Sequence, residues 1–173
     1  MRAVLTAALW LTLAHASIAG PPPDDGCRAG VPPPRDMVTE LTHWIGENTN
    51  YDISRTLQEP PRVSFCKTGE AIVYEGDEMI VDPRLKAAYD LSERRIFLVL
   101  PWDAGDPRDA SALLHELIHD IQLLNRDWPC LGAPEWEAYK LQAAWLREQG
   151  VESDFDWLHI YMRARCPRDI HPD

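Results

Sequence analysis

The sequence contains no pair of cysteines in Cys-x-x-Cys spacing, although it has four cysteines. A cysteine-based zinc knot and a dithiol redox motif both need that spacing, so neither site is expected. The even number of cysteines favours two disulfides, which form in an oxidising compartment. The four residues are Cys27, Cys66, Cys130 and Cys166.

Basic residues are also few, because 17 Lys and Arg stand against 28 Asp and Glu and give a formal net charge of −11. The Lys and Arg residues form no stripe along the chain. Nucleic acids and anionic membrane surfaces are therefore not expected as partners. The sequence also shows no internal repeat.

No apolar run is long enough to cross a bilayer. The run from Ala3 to Ala14 follows Arg2 and precedes small residues, as in a secretory signal peptide. We predict a signal peptide over residues 1–19, a proline-rich linker over 20–35 and a single domain over 36–173. The protein would be exported to the periplasm or the extracellular space, with no membrane attachment after cleavage; an uncleaved N-terminal anchor is the alternative.

The first half of the domain predicts one helix and several short strands. An apolar stripe and Asp36 as a cap indicate the helix. We predict a helix over 36–48, a strand over 62–66, a short helix rather than a strand over 70–74, a loop over 77–86, and a hairpin of strands over 87–90 and 95–100.

The second half predicts three helices. Asp106 as N-cap and Pro107 at the first helical position indicate a helix from Pro107 to Asn125. Its apolar residues cover more than half of its circumference, so it is expected to be mostly buried. Two further helices are predicted over 134–149 and 153–164.

The last two helices have a short connection and should run antiparallel. That arrangement brings Cys130 close to Cys166 and leaves Cys27 to pair with Cys66. Four residues of the final helix are expected to face inward: Phe155, Leu158, Tyr161 and Met162.

The segment His115-Glu116-Leu-Ile-His119 lies within the buried helix predicted from Pro107. Histidines at positions i and i+4 share one helix face, where two imidazoles can bind one Zn²⁺. Glu116 would lie beside the metal as a general base. Buried imidazoles need hydrogen-bond partners, and a metal would satisfy them.

A catalytic zinc site normally has three protein ligands and one open position. Glu135 and Glu137 on the next helix are the candidates for the third ligand. They lie about 200° apart around the helix, so only one can face the metal. Periodicity favours Glu135 only weakly.

The segment His115–His119 followed by Glu135-Trp-Glu-Ala138-Tyr139 resembles the gluzincin arrangement of small bacterial metallopeptidases. In several of those families the first Glu of a Glu-x-x-Ala-(Asp/Asn) segment binds zinc, which implies Glu135 here. Residues 36–166 also resemble a bacterial family of uncharacterised exported proteins with the same motifs.

The resemblance implies an α+β, minigluzincin-like zincin domain. A short antiparallel or mixed sheet of about three strands would pack on the buried helix and be followed by a helical hairpin. The sequence departs from the pattern at Tyr139, where those families have Asp or Asn. The partner that orients His115 is therefore open between Tyr139, Asp120 and a backbone carbonyl.

The expected function is zinc-dependent hydrolysis of a peptide or protein substrate, which would lie extended along the strand Arg95–Leu100. A non-catalytic zinc-binding module and a helical core without metal are the alternatives. His43, His159 and His171 are expected to take no part, and Tyr139 could pack or stabilise an oxyanion. The sequence does not indicate the substrate's identity or the oligomeric state.

Overall fold

A computed structural model describes Cys27 and residues 33–167. The predicted signal peptide, most of the predicted linker and His171 lie outside the described residues. The described residues form five helices and five strands. In chain order these are α1 (Arg35–Asn48), α2 (Ser54–Gln58), β1 (Arg62–Lys67), β2 (Ala71–Tyr74), β3 (Asp77–Ile80), β4 (Ala87–Asp90), β5 (Arg95–Leu100), α3 (Pro107–Asn125), α4 (Glu135–Glu148) and α5 (Trp157–Arg163).

A three-stranded mixed sheet lies at the centre of the α+β fold, in the order β1-β5-β4. Strand β1 is parallel to β5, and β4 is antiparallel to it. This agrees with the predicted small sheet and with the predicted hairpin of β4 and β5. Because β5 has a partner on each side, it cannot be the edge along which a peptide lies, so that prediction is wrong.

The two faces of the sheet bury different cores, as alternating side chains of a strand require. Ile96 and Leu98 of β5 face α3 and α1, in the larger core. Phe97 and Val99 face the opposite way, toward Ile72 of β2. Helix α3 is thus enclosed by the sheet and α1, and its residues from Leu113 to Gln122 are all buried.

Strands β2 and β3 form a separate antiparallel hairpin, so the predicted short helix at 70–74 is wrong and residues 77–80 are not a loop. Glu75 and Gly76 form its two-residue turn with φ values of 52° and 85°. Positive φ at both turn residues suits the twist of a tight hairpin. Alternation then places Ile72 in the second core and leaves Val73 exposed.

The final helix begins later than predicted and presents a different face. It starts at Trp157 after Asp156, whose side chain accepts the N–H of His159. Ile160 is its buried residue, and the inward orientation predicted for three residues is wrong. Leu158, Tyr161 and Met162 are 72%, 43% and 51% exposed. The short helix α2 was not predicted.

Two disulfides confirm the predicted pairing, Cys27–Cys66 and Cys130–Cys166. The second disulfide joins the segment before α4 to the end of α5. Gly132 lies at the same junction, where a Cβ atom would come within 2.3 Å of the Arg163 carbonyl oxygen. Among the described residues, no helix has the length and apolar character needed to cross a membrane.

Candidate metal centre

Helix α3 carries both motif histidines on one face. It begins as predicted, with the Asp106 side chain accepting the N–H of Arg108 and with Pro107 at the first position. His115 and His119 are one turn apart and only 7% and 8% exposed. Helix α4 packs against α3, and its first residue, Glu135, reaches the two imidazoles.

Three potential ligand atoms converge at this point. The Nε2 atoms of His115 and His119 are 3.0 Å apart. The Oε2 atom of Glu135 is 3.3 Å from the first and 3.6 Å from the second. Zinc bonds of about 2.0–2.1 Å at tetrahedral angles separate neighbouring ligand atoms by about 3.3 Å. The three side chains therefore fit a single zinc ion with little movement, and Glu135, whose side chain is 28% exposed, is the most accessible of the three.

Gln122 fixes the ring orientation of His119. Its amide nitrogen donates to the Pro134 carbonyl at 3.2 Å and to the Glu137 carboxylate at 2.9 Å. Neither partner can donate, so the amide oxygen must face His119 Nδ1, which lies 3.0 Å away. His119 therefore carries its proton on Nδ1 and turns the Nε2 lone pair toward Glu135.

Gln142 does the same for His115. Its amide nitrogen donates to Ser111 Oγ at 3.0 Å, and the Ser111 hydroxyl donates to the Arg108 carbonyl at 2.8 Å. The amide oxygen of Gln142 is then 3.0 Å from His115 Nδ1. Partners of this kind fix the tautomer of metal-binding histidines. Three lone pairs thus meet within 3.6 Å, and only a shared proton or a cation relieves their repulsion.

Glu137, the alternative third ligand, points away from the imidazoles. Its carboxylate accepts hydrogen bonds from Tyr51, Gln122 and Arg126. Burial, together with the hydrogen bond to Glu137, raises the pKa of Tyr51 to about 12. Glu137 is therefore placed to hold the amide behind His119 and not to bind the same ion as His119.

Neither side chain proposed to orient His115 does so. The Tyr139 ring packs edge-on against the His115 ring with centroids 4.5 Å apart. The buried Asp120 carboxylate instead accepts from Thr56 at 2.7 Å, from Tyr89 at 2.8 Å, and from the Arg94 guanidinium at 3.0 Å. Asp120 thereby ties α3 to α2 and to the turn after β4. His115 Nδ1 instead donates its hydrogen bond to Gln142, on the turn of α4 that follows Tyr139.

Glu116 is buried beside the histidines, with 7% exposure. Among the described residues its carboxylate has no hydrogen bond within the structure. Burial raises the pKa of Glu116, and nearby His115 and His119 offset that only in part. Burial and the negative charge of Glu116 raise the pKa of Tyr74 to about 12.

His119 and Glu135 shift one another's pKa. Burial would raise the pKa of Glu135, but the imidazoles of His115 and His119, which can donate to it once Nε2 is protonated, hold it well below its usual range. Burial would lower the pKa of His119, but Glu135 and Glu116 raise it overall. Both directions show that positive charge is favoured between these side chains.

A second group with ligand-type atoms consists of Cys27, Cys66 and Glu70. The two sulfurs are joined in a disulfide, so they offer no thiolate to a metal. His43 and His159 are exposed on other helices and lie outside the centre, as predicted. The sequence analysis assigned no role to Gln122 or Gln142. The signal that could have found them is their spacing: Gln122 lies one turn after His119 on the same helix, and Gln142 lies two turns after Glu135.

A family model described as "Domain of unknown function (DUF6647)" matches residues 31–173. No curated protein matches the chain. No solved structure matches it either.

Proposed function

We propose that this chain, which belongs to the family described as a domain of unknown function (DUF6647), is an exported zinc-dependent hydrolase that cleaves peptide bonds. The observation that carries the proposal is the convergence of His115 Nε2, His119 Nε2 and Glu135 Oε2 within 3.0–3.6 Å. The helix order and the first Glu of α4 in this position support a minigluzincin-like arrangement. The two disulfides support an oxidising compartment.

The donor set favours zinc over harder cations. Two imidazole nitrogens and one carboxylate oxygen suit Zn²⁺, whereas Mg²⁺ and Ca²⁺ prefer oxygen ligands. Three protein ligands leave one position open, as in catalytic sites. When bound here, zinc would supply a Lewis acid that polarises a carbonyl and lowers the pKa of water.

Glu116 is the proposed general base. It follows His115 on the buried helix, and its carboxylate is not engaged by any described side chain. A carboxylate in this place can take a proton from an attacking water and pass it to the leaving amine. Gln142 and Gln122 hold the imidazole rings, so the ligand atoms are set before substrate arrives.

Metal content gives the first test. We expect about one zinc per chain in the purified full-length protein, and large losses in the variants His119→Ala and Glu135→Ala. Glu137→Ala should retain stoichiometric zinc because its carboxylate contacts Gln122 and not the ion. His159→Ala is the matched control, since His159 is exposed on another helix. If Glu135→Ala retained zinc and Glu137→Ala lost it, the assignment of Glu135 as the third ligand would be wrong.

Hydrolysis of a mixed fluorogenic peptide library gives the second test. We expect Glu116→Gln to keep zinc and to lose about 10²–10⁴-fold in rate, since it removes only the base. Glu47→Gln, an exposed change on α1, is the control. Hydrolysis by Glu116→Gln at the original rate would exclude Glu116 as base. Zinc binding by the unaltered protein without any hydrolysis would favour a non-catalytic zinc-binding module.

A further inference from the structure

A row of aromatic rings leads from the metal centre to the surface. We call it the aromatic row; after His115 it consists of Tyr139, Phe155, Trp157, Trp136 and Tyr161. Tyr139 lies 4.5 Å from His115 and 5.1 Å from Phe155, measured between ring centroids. Trp157 is 5.8 Å from both Phe155 and Trp136, and Trp136 is 5.7 Å from Tyr161. All five contacts are edge-on, as aromatic pairs prefer.

The outer part of the row is exposed. Trp136, Trp157 and Tyr161 are 38%, 37% and 43% exposed. Leu158 and Met162 each follow a row residue on α5, about 100° further round the helix, and their 72% and 51% exposure adds apolar surface beside the outer end of the row. Scattered surface apolar residues need no explanation, but a contiguous patch of large ones marks a site of interaction.

We propose that the aromatic row, together with Leu158 and Met162 beside its outer end, binds a segment of the peptide substrate that carries bulky apolar or aromatic side chains, and so directs the neighbouring bond to the metal centre. This inference rests on the proposed function. It specifies a substrate class for the same site: extended peptide, apolar on one side of the cleaved bond.

Continuity with the metal centre is the argument for substrate as the occupant. The row begins on the ring of a proposed zinc ligand, so a chain lying along it reaches His115. Three ring steps of 4.5, 5.1 and 5.8 Å lead from His115 to Trp157. They span at most about 15 Å, which is no more than about four or five residues of extended peptide.

The edge of the sheet offers a peptide fewer free backbone groups than an unoccupied edge strand would. Strand β4 is the edge nearest α3, and its register with β5 turns the backbone of Tyr89 outward. The outward carbonyl of Tyr89 already accepts the Tyr74 hydroxyl at 3.1 Å. The turn of the β2–β3 hairpin is also bonded to Asp90 through the N–H of Glu75. Side-chain contacts along the row therefore provide a binding surface that backbone pairing at Tyr89 does not.

The row is held in a fixed position. The disulfide Cys130–Cys166 joins the two ends of the α4–α5 unit, and Gly132 allows its backbone to approach Arg163 closely. A surface held in one place loses little entropy when a ligand binds.

The test measures binding separately from cleavage. Two fluorescently labelled octapeptides of equal charge are compared, one with alternating Phe and Leu and one with Ser and Asn in those positions. They are titrated into zinc-loaded Glu116→Gln protein and into the same protein carrying Leu158→Asn and Met162→Gln. We expect the apolar peptide to bind about tenfold more tightly, and the double change to remove most of that difference.

Exposed apolar residues elsewhere give the matched control. Val73 and Ile80 on the β2–β3 hairpin are 54% and 59% exposed. Val73→Asn with Ile80→Gln should leave both affinities unchanged. Zinc content checks that each variant is folded. In the hydrolytically competent protein, Leu158→Asn with Met162→Gln should raise KM for the apolar peptide and leave kcat unchanged.

The outcomes separate this inference from the proposed function. Hydrolysis without preference for the apolar peptide would keep the hydrolase and overturn the aromatic row as its binding surface. If the apolar octapeptide bound in a way that depends on Leu158 and Met162 but no peptide was hydrolysed, the row would be supported as a peptide-binding site and the proposed hydrolase function would be wrong. Self-association abolished by the Leu158 and Met162 changes would make the face a subunit interface and overturn the inference.

Discussion

The two glutamine amides behind His115 and His119 decide what the histidines can bind. A neutral imidazole has one donor and one acceptor nitrogen, and an amide oxygen at Nδ1 leaves Nε2 as the acceptor. The peptidase families that the sequence motif resembles have Asp or Asn at the Tyr139 position. Here a neutral amide makes that contact, which orients His115 without adding negative charge to a centre that already contains Glu116 and Glu135.

Gln142→Leu tests this arrangement at the scale of one residue. Leucine fills similar space but leaves the Nδ1 proton of His115 and the Ser111 hydroxyl without their amide partner. We expect zinc affinity to fall about 10–100-fold, measured by competition with a chelator of known affinity at fixed pH. Gln149→Leu, an exposed change immediately after α4, should have no effect. Unchanged affinity in Gln142→Leu would mean that the amide does not set the tautomer.

Residue spacing alone predicted the two histidines of this candidate centre but not its other members. The i, i+4 spacing was sufficient to place His115 and His119 on one face, because helix geometry fixes it. The choice of Glu135 over Glu137 depended on a resemblance, since either could face α3 until the helix crossing is known. Gln142 could not be assigned at all, because its role depends on how α4 rotates against α3.

At the scale of elements, α4 and α5 are tied together because the segment that leads into α4 meets the end of α5 at Gly132. A Cβ atom there would lie 2.3 Å from the Arg163 carbonyl oxygen, a backbone atom that cannot rotate away. We expect Gly132→Ala to lower the free energy of unfolding by about 1–3 kcal/mol, measured by urea denaturation. Gly105→Ala is the control, because its nearest neighbour would be a side-chain atom at 3.4 Å.

Gly132→Ala should also weaken binding of the apolar octapeptide. The added methyl group displaces α5, which carries Trp157 and Tyr161 of the aromatic row. Zinc content should remain, since the ligands lie on α3 and the start of α4. A variant with wild-type stability would show that the junction accommodates the methyl group, contrary to this account.

The elements predicted wrongly share one physical cause. Residues 71–74 and 157–163 are short segments. Each has too few apolar residues to show by their spacing whether it is a helix or a strand, or which face is buried. Tertiary contacts decided them: Ile72 joins the second core as part of a hairpin, and Ile160 is the residue that α5 buries. The longer helix α3 was predicted to the residue, because Asp106, Pro107 and a long periodic stretch agree.

For the whole molecule, the two disulfides provide a natural comparison. Their sequence separations are 36 and 39 residues, so the chain-entropy model assigns each a stabilisation of about 4 kcal/mol. Cys27–Cys66 holds the N-terminal segment to β1, on the side of the sheet away from α3. Cys130–Cys166 holds α5 to the segment before α4. Similar expected contributions to stability thus accompany different positions relative to the candidate metal centre.

We therefore expect Cys27→Ser with Cys66→Ser, and Cys130→Ser with Cys166→Ser, to lose similar free energies of unfolding in urea. Only the second pair should lose the preference for the apolar octapeptide, because only it releases the aromatic row. Both should retain zinc when measured at a temperature where they remain folded. If removing Cys27–Cys66 weakened peptide binding equally, the effect would come from general destabilisation, and the disulfide at α5 would have no specific part in positioning the row.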